Sequence, residues 1–194
     1  MIKKYADRLK LYFALHVLFF VLMVVIDQLL KMLAVNGLKD KPAKVLIENV
    51  LEFQYLENHG ASFGILQHQQ WLFYVITAIV IIAIAIIVIR IYKQLKRYLK
   101  NSLEDESIFK QKNVKDALYM SFIFMLLAGG AIGNFIDRII NGYVVDYIYF
   151  KIINFPIFNF ADICVTVSAI LLIIFFLFTY KEDKNLVIFG KSKK

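Results

Sequence analysis

The sequence predicts an all-α membrane protein: four transmembrane helices, a small extracytoplasmic β-sheet and both termini in the cytoplasm, built as one domain over residues 1–194. Three observations predict it. Of the 194 residues, 60% are hydrophobic and 20% charged, whereas soluble domains average about 45–50% apolar even with glycine counted. The apolar residues gather into four uncharged runs, 11–26, 71–89, 117–136 and 163–180, and a helix needs about 20 mostly apolar residues to cross hydrocarbon. The charge is also uneven. Of 23 Lys and Arg, 17 fall before the first run, in the connection 90–115 or after residue 180. Four crossings put those three segments on one side, which the positive-inside rule makes the cytoplasm. The net charge of +8 then reflects topology and contact with anionic membrane lipids, and no nucleic acid partner is needed. With eight Gly, two Pro and the single cysteine Cys164, collagenous, disordered and disulfide-stapled chains are excluded.

The crossings are expected at about 11–33, 71–91, 117–137 and 160–180, with outer connections at about 34–70 and 138–159 and a cytoplasmic loop at about 92–116. The first run follows Lys3, Lys4, Arg8 and Lys10 as a secretory signal would, but no small-residue cleavage site follows it, and it ends in Asp27-Gln28-Leu29-Leu30-Lys31. It reads as a retained crossing. In the first outer connection, Phe53-Gln54-Tyr55 within Glu52–Glu57 alternates as a half-buried strand does. Asn58-His59-Gly60 reads as a turn in which Asn and Gly tolerate positive φ. Residues 143–150, rich in aromatic and β-branched side chains, read as a second strand, the sheet lying against the outer leaflet. The cytoplasmic loop mixes Lys and Arg with Glu104-Asp105-Glu106 and carries no assigned chemistry.

Acids define where chemistry belongs. Asp27, Asp40, Glu48, Glu52, Glu57, Asp137, Asp146 and Asp162 all fall near or beyond the outer helix ends. At a helix centre an Asp costs about 2.5–3.5 kcal/mol on insertion scales, so each needs a partner or a purpose. Asp27 and Lys31 share a helix face, as a helix-end ion pair or as support for a neighbouring site. Asn134 and Arg138 are one turn apart near the end of the third helix, where Arg138 could clamp a carboxylate or merely cap the helix. Asn159 and Asp162 open the fourth helix as an N-cap and first-turn acid, or as part of a site. What favours a site is the number of polar groups at one level: Asp27, Lys31, Asn58, Asn134, Arg138, Asp146, Asn159 and Asp162.

Other chemistries fit poorly. No nucleophilic Ser–His arrangement is visible, His16 lying within the first crossing and His59 and His68 in the outer connection. Zinc-ligand spacing, a Walker loop and a dinucleotide fingerprint are absent, so neither metal nor cofactor is expected. Cys164 reads as a small buried hydrophobe. A pair of aspartates remains. Two carboxylates a few Å apart tend to share a proton, one drawing a proton from water while the other donates to a carbonyl oxygen. That arrangement hydrolyses peptides without a covalent intermediate.

The same residues carry a family resemblance. Asp27-Gln28-Leu29-Leu30-Lys31, Asn58-His59-Gly60-Ala61-Ser62-Phe63-Gly64, Gly129-Gly130-Ala131-Ile132-Gly133-Asn134-Phe135-Ile136-Asp137-Arg138, Gly142-Tyr143-Val144-Val145-Asp146-Tyr147 and Phe155-Pro156-Ile157-Phe158-Asn159-Phe160-Ala161-Asp162 resemble, in order, the motifs of the lipoprotein signal peptidases, bacterial membrane aspartyl peptidases. The resemblance implies a catalytic pair Asp146 and Asp162, with Asn134, Arg138 and Asn159 around it. It gives Asp27, Lys31, Asn58 and Gly60 supporting or substrate-contact roles and leaves Asp137 structural. It further implies an enzyme of the bacterial inner membrane that cuts prolipoproteins just before a diacylglyceryl-modified cysteine, its site at the extracytoplasmic face; the chain is expected to act as a monomer. Departures are small: Tyr147 stands where Phe is usual, Ser62 where Ala is usual and Ile163 where Ser often follows the aspartate. The chief alternative is a proton- or cation-coupled small transporter, whose acids should spread through the membrane depth.

Overall fold

A computed structural model describes residues 2–60, 70–101 and 112–180. The segment Ala61-Ser62-Phe63-Gly64, His68, the Glu104-Asp105-Glu106 run and the tail after residue 180 lie outside the described residues. Four helices are long and apolar enough to cross a membrane: α1 (Ile2–Leu38), α2 (Gln70–Asn101), α3 (Lys112–Asn141) and α4 (Phe160–Phe175), the last continuing as a π-helical turn, Phe176–Tyr180. α1 to α3 run well past the uncharged stretches, because flanking charged and polar residues continue a helix outside hydrocarbon as readily as apolar ones continue it within. α3 packs against each of the other three. Its glycines permit this: a Cβ on Gly130 would stand 2.9 Å from Val165 Cγ2 and 3.1 Å from Cys164 Cβ, and one on Gly129 would stand 3.0 Å from Met23 Cβ.

Three antiparallel strands, β1 (Lys44–Ile47), β2 (Leu51–Asn58) and β3 (Val144–Phe150), form a sheet in the order β1-β2-β3. The alternating aromatics around Phe53 and the run from Val144 form β2 and β3 as their patterns predict. β1 carries no such pattern and is exposed throughout. It is held by pairing to β2 through a turn in which Asn49 takes a φ of 58° and Val50 N–H donates to Ile47 C=O at 3.0 Å, a conformation Asn tolerates. Gly142, at φ 78°, reverses the chain between α3 and β3, where a Cβ would be strained. The sheet packs on the end of α1 through Ala34, Val145 and Tyr147, with Leu30, Phe53 and Tyr55 around them. A separate apolar core of Tyr5, Leu9, Ile91, Leu95, Val114 and Phe175 closes the opposite end of the bundle.

One buried ionic brace joins the sheet end. Lys31 Nζ lies 2.8 Å from Asp27 Oδ2 and 3.0 Å from Asp137 Oδ2, with all three side chains no more than 3% exposed. Two carboxylates against one ammonium leave a negative charge, which neutral donors disperse. Ala161 N–H, in the first turn of α4, donates to Asp27 Oδ1 at 2.9 Å, and Val145 N–H donates to Asp137 Oδ2 at 3.0 Å. The Gln28 amide lies 3.2 Å from Asp27 Oδ2, 3.1 Å from Asp137 Oδ1 and 3.1 Å from Gly133 C=O. The brace therefore ties α1, α3, α4 and β3 at one point.

Two stability outcomes follow from these contacts. Lys31→Met strands two buried carboxylates and should destabilise the protein by about 3–5 kcal/mol, read as thermal unfolding in detergent. Gly130→Ala, pressing a methyl into α4, should cost about 1–3 kcal/mol; Gly37→Ala, where a Cβ meets nothing within 4 Å, should cost nothing in the same measurement.

Candidate active site

At the sheet end of the bundle a cavity of about 170 Å³ is lined by Asn58, Gly60, Asn134, Arg138, Asp146 and Asp162, together with Phe73, Val144 and Ile157. The two aspartates reach it from different elements. Asp146 lies in β3, and Asp162 in the first turn of α4. Their separation is fixed by backbone pairing between β3 and the residue preceding the α4 cap. Tyr147 N–H and Ile148 N–H donate to Phe158 C=O at 3.1 and 2.8 Å, and Phe158 N–H returns to Ile148 C=O at 3.0 Å.

Three asparagines wire the pair together. Asn159 caps α4: its side chain accepts from Asp162 N–H at 3.0 Å, while Asp162 Oδ2 accepts from Asn159 N–H at 3.1 Å. This is a capping box with Asp in the third position. With its carbonyl oxygen so engaged, the Asn159 amide points the other way, donating to Asp146 Oδ1 at 2.6 Å and lying 3.0 Å from Asn134 Oδ1. Asn134 Oδ1 also takes the Lys31 ammonium at 2.9 Å, which turns its own amide towards Asp162 Oδ1 at 2.8 Å. Asn58, opposite Val144 in the β2–β3 register, is a diagonal neighbour of Asp146 and donates to its Oδ2 at 2.8 Å. All four carboxylate oxygens thus accept from neutral amides.

Burial raises the Asp146 pKa, and the nearby Asp162 charge raises it further. The hydrogen bonds from Asn58 and Asn159 and the charge of Lys31 oppose them, and the balance is a carboxyl pushed up to about 7. At neutral pH such a group holds its proton about half the time, so the pair can present an acid and a base together.

The nine residues singled out from the sequence divide between cavity and brace. Asp146, Asp162, Asn58, Gly60, Asn134 and Arg138 line the cavity, and Asn159 bonds both Asp146 and Asn134 from behind. Asp27 and Lys31 sit in the brace, reaching the cavity through Asn134. Two expectations are corrected. Among the described residues Arg138 clamps no carboxylate; it donates to Gly60 C=O at 3.4 Å and lies 4.9 Å from the Phe73 ring centre, a cation–π contact. The turn at Gly60 needs no positive φ, since Asn58 Oδ1 accepts from Gly60 N–H at 3.0 Å. Away from the cavity, Ser121 Oγ and Tyr92 Oη each lie 2.8 Å from His16 Nδ1. Ser121 is wholly buried and donates to Leu118 C=O at 2.8 Å, so the trio pins α1, α2 and α3 together as interhelical polar contacts do.

The sequence reading missed Gln28, Phe73 and Tyr74, whose hydroxyl donates to Arg138 C=O at 2.7 Å. Gln28 had one available signal, its place between Asp27 and Lys31. For the two aromatics nothing in an apolar run marks which ring meets the arginine. Among the described residues no cluster of three or more His, Cys, Asp or Glu could hold a metal.

Comparison with known proteins identifies the family. A model of the family described as Signal peptidase (SPase) II matches residues 19–104 and 107–178. The lipoprotein signal peptidase of Streptococcus agalactiae serotype V is 35% identical over 165 residues, covering 85% of this chain and 91% of that protein. That of Brevibacillus brevis is 37% identical over 151 residues, covering 78% and 87%. Among solved structures, a bacterial membrane enzyme determined by the in meso method at 2.3 Å superimposes with a TM-score of 0.66 at 32% identity, covering 93% of this chain and 94% of that one. The chain belongs to the signal peptidase II family of bacterial membrane aspartic endopeptidases.

Proposed function

We propose that Asp146 and Asp162 are the catalytic pair of this lipoprotein signal peptidase, and that its substrate is a prolipoprotein carrying a diacylglyceryl group on the cysteine following the scissile bond. The observation that carries the reading is the shared cavity, in which two carboxylates from separate elements are joined through Asn159 and Asn134. Asp146, whose burial favours the protonated form, donates to the scissile carbonyl oxygen. Asp162 draws a proton from a water that attacks the carbonyl carbon. The tetrahedral adduct then collapses: the C–N bond breaks, the departing nitrogen takes a proton, and the pair regains its single shared proton. The products are the signal peptide's carboxylate and a lipidated cysteine with a free amino group. Arg138, held over Phe73, faces the same cavity and orients the substrate chain.

In this reading both termini are cytoplasmic and the sheet and site lie at the outer face of the bacterial cytoplasmic membrane, supported by the lysine and arginine bias of the sequence. A monomer is the proposed state, the described residues of one chain supplying both carboxylates, Asn58, Asn134, Asn159 and Arg138 around the cavity. The clustering of Asp27, Asp137, Asp146 and Asp162 at one end of the bundle argues against a transporter, which needs ionisable groups along a path through the membrane.

Two measurements test the pair. Asp146→Asn and Asp162→Asn should each lower cleavage of a lipidated prolipoprotein in detergent by about 10²–10⁴-fold or more, with thermal unfolding close to that of the unaltered protein; full turnover by either variant removes the mechanism. Because the Asp146 carboxyl is raised to about 7, its proton is present below that pH and lost above it. The pH profile of kcat/KM should therefore fall on its basic side with a midpoint near 7, and a flat profile through pH 9 contradicts the assignment of Asp146 as the acid.

A further inference from the structure

A second cavity adjoins the first. A groove of about 540 Å³ runs between the end of β3 with the connection after it, which contribute Phe150, Phe155 and Phe158, and the first two turns of α4, which contribute Ile163, Thr166 and Val167. Its walls are mainly apolar, and it shares Ile157 and Asp162 with the catalytic cavity. The three phenyl rings form a fixed cluster, Phe158 lying 5.5 Å from Phe150 and 5.8 Å from Phe155 between ring centres. The floor is helical: Ile163 and Val167 are four residues apart, and Thr166 lies beside them on the exposed side of α4.

We propose that this groove holds one acyl chain of the diacylglyceryl group on the substrate cysteine, so that the lipid, as well as the peptide, sets the register of the scissile bond. The inference rests on the peptidase reading given above. Two arguments support an acyl chain as occupant. The first is connectivity: through a thioether, a glycerol carbon and an ester, the chain begins within a few bonds of the residue whose amide is cut, so its site must open directly off the catalytic cavity, and Asp162 is the common wall. The second is chemistry: beyond Asp162, whose oxygens are bonded to Asn134 and Asn159, and the Thr166 hydroxyl, the lining side chains carry no polar group for a peptide to bond.

An acyl chain leaving the bilayer for this groove exchanges one apolar surrounding for another. The gain is therefore positional, not hydrophobic: a chain lying between the phenyl cluster and α4 restricts where the cysteine can sit relative to Asp162.

The test compares two synthetic prolipoprotein peptides, identical except for dipalmitoyl or dibutyryl glyceryl groups, against the unaltered protein, Val167→Trp, Thr166→Trp and Ile170→Trp. Ile170 is exposed on the same helix, beyond the groove. The groove-filling variants should lower kcat/KM for the dipalmitoyl substrate by about tenfold or more and for the dibutyryl substrate by less than about twofold. Ile170→Trp should change neither. Equal losses on both substrates, or none, overturn the proposal. A substrate bearing a diazirine at mid-chain should label residues 150–167, and labelling confined to α1 or α2, or equal labelling of 150–167 by the same probe on a bulk phospholipid, overturns it as well. Failure of the unaltered protein to cleave either peptide would instead strike the peptidase reading, which keeps the two apart.

Discussion

The structure depends on a lysine ammonium held between two carboxylates out of contact with water. Each of these ions alone would carry a penalty of several kcal/mol on burial, and in a medium of low dielectric their attraction is correspondingly strong. The three cannot separate without exposing an uncompensated charge, so Lys31, Asp27 and Asp137 hold α1 against α3 at a fixed height. The second oxygen of Asp27 then fixes the start of α4 through Ala161, and the Asp137 oxygen that holds Lys31 also accepts from Val145 N–H, which fixes β3. Asp162 is one residue beyond Ala161, and Asp146 one residue beyond Val145. The brace thus positions both carboxylates of the cavity from directly behind.

In the proposed site, structural and functional roles coincide in the same atoms. Asn159 and Asp162 form an ordinary helix cap, and the cap is what orients their remaining atoms: once Asn159 Oδ1 accepts from Asp162 N–H, its amide must face Asp146. Asn134 is fixed in the same manner, its oxygen taken by Lys31 and its amide left for Asp162. Neither asparagine is free to flip without losing bonds on both sides. Preorganisation of this kind comes from rigid elements supporting polar groups that are satisfied on every side.

Much of this was legible in the chain, and the rest was not for identifiable reasons. The four apolar runs, the strand around Phe53 and the strand from Val144 are local patterns, and they form as local patterns should. The Asn159–Asp162 and Asp27–Lys31 pairs were legible because helix geometry fixes their spacing. By contrast, β1 has no alternation of its own and exists through its partner strand. Arg138 carries a charge that invites a carboxylate, yet its contact with Phe73 depends on how α2 packs against α3, which no spacing encodes. The His16, Tyr92 and Ser121 contact joins residues 76 and 105 positions apart and was invisible for the same reason. Local signals indicated which residues were polar for a purpose; tertiary packing decided which of them met.

The placement of positive charge leaves the pair suited to the acid–base work proposed for it. A lysine or arginine in direct contact with either carboxylate would favour the ionised form of both and leave no acid near neutral pH. The chain instead surrounds the pair with Asn58, Asn134 and Asn159, which donate hydrogen bonds without bringing a charge. Lys31 is one amide removed, neutralised by Asp27 and Asp137, and Arg138 turns to a backbone carbonyl and an aromatic face. Burial and the mutual repulsion of the two acids then outweigh the amide bonds at Asp146. The cations are close enough to hold the frame and distant enough to let one proton stay.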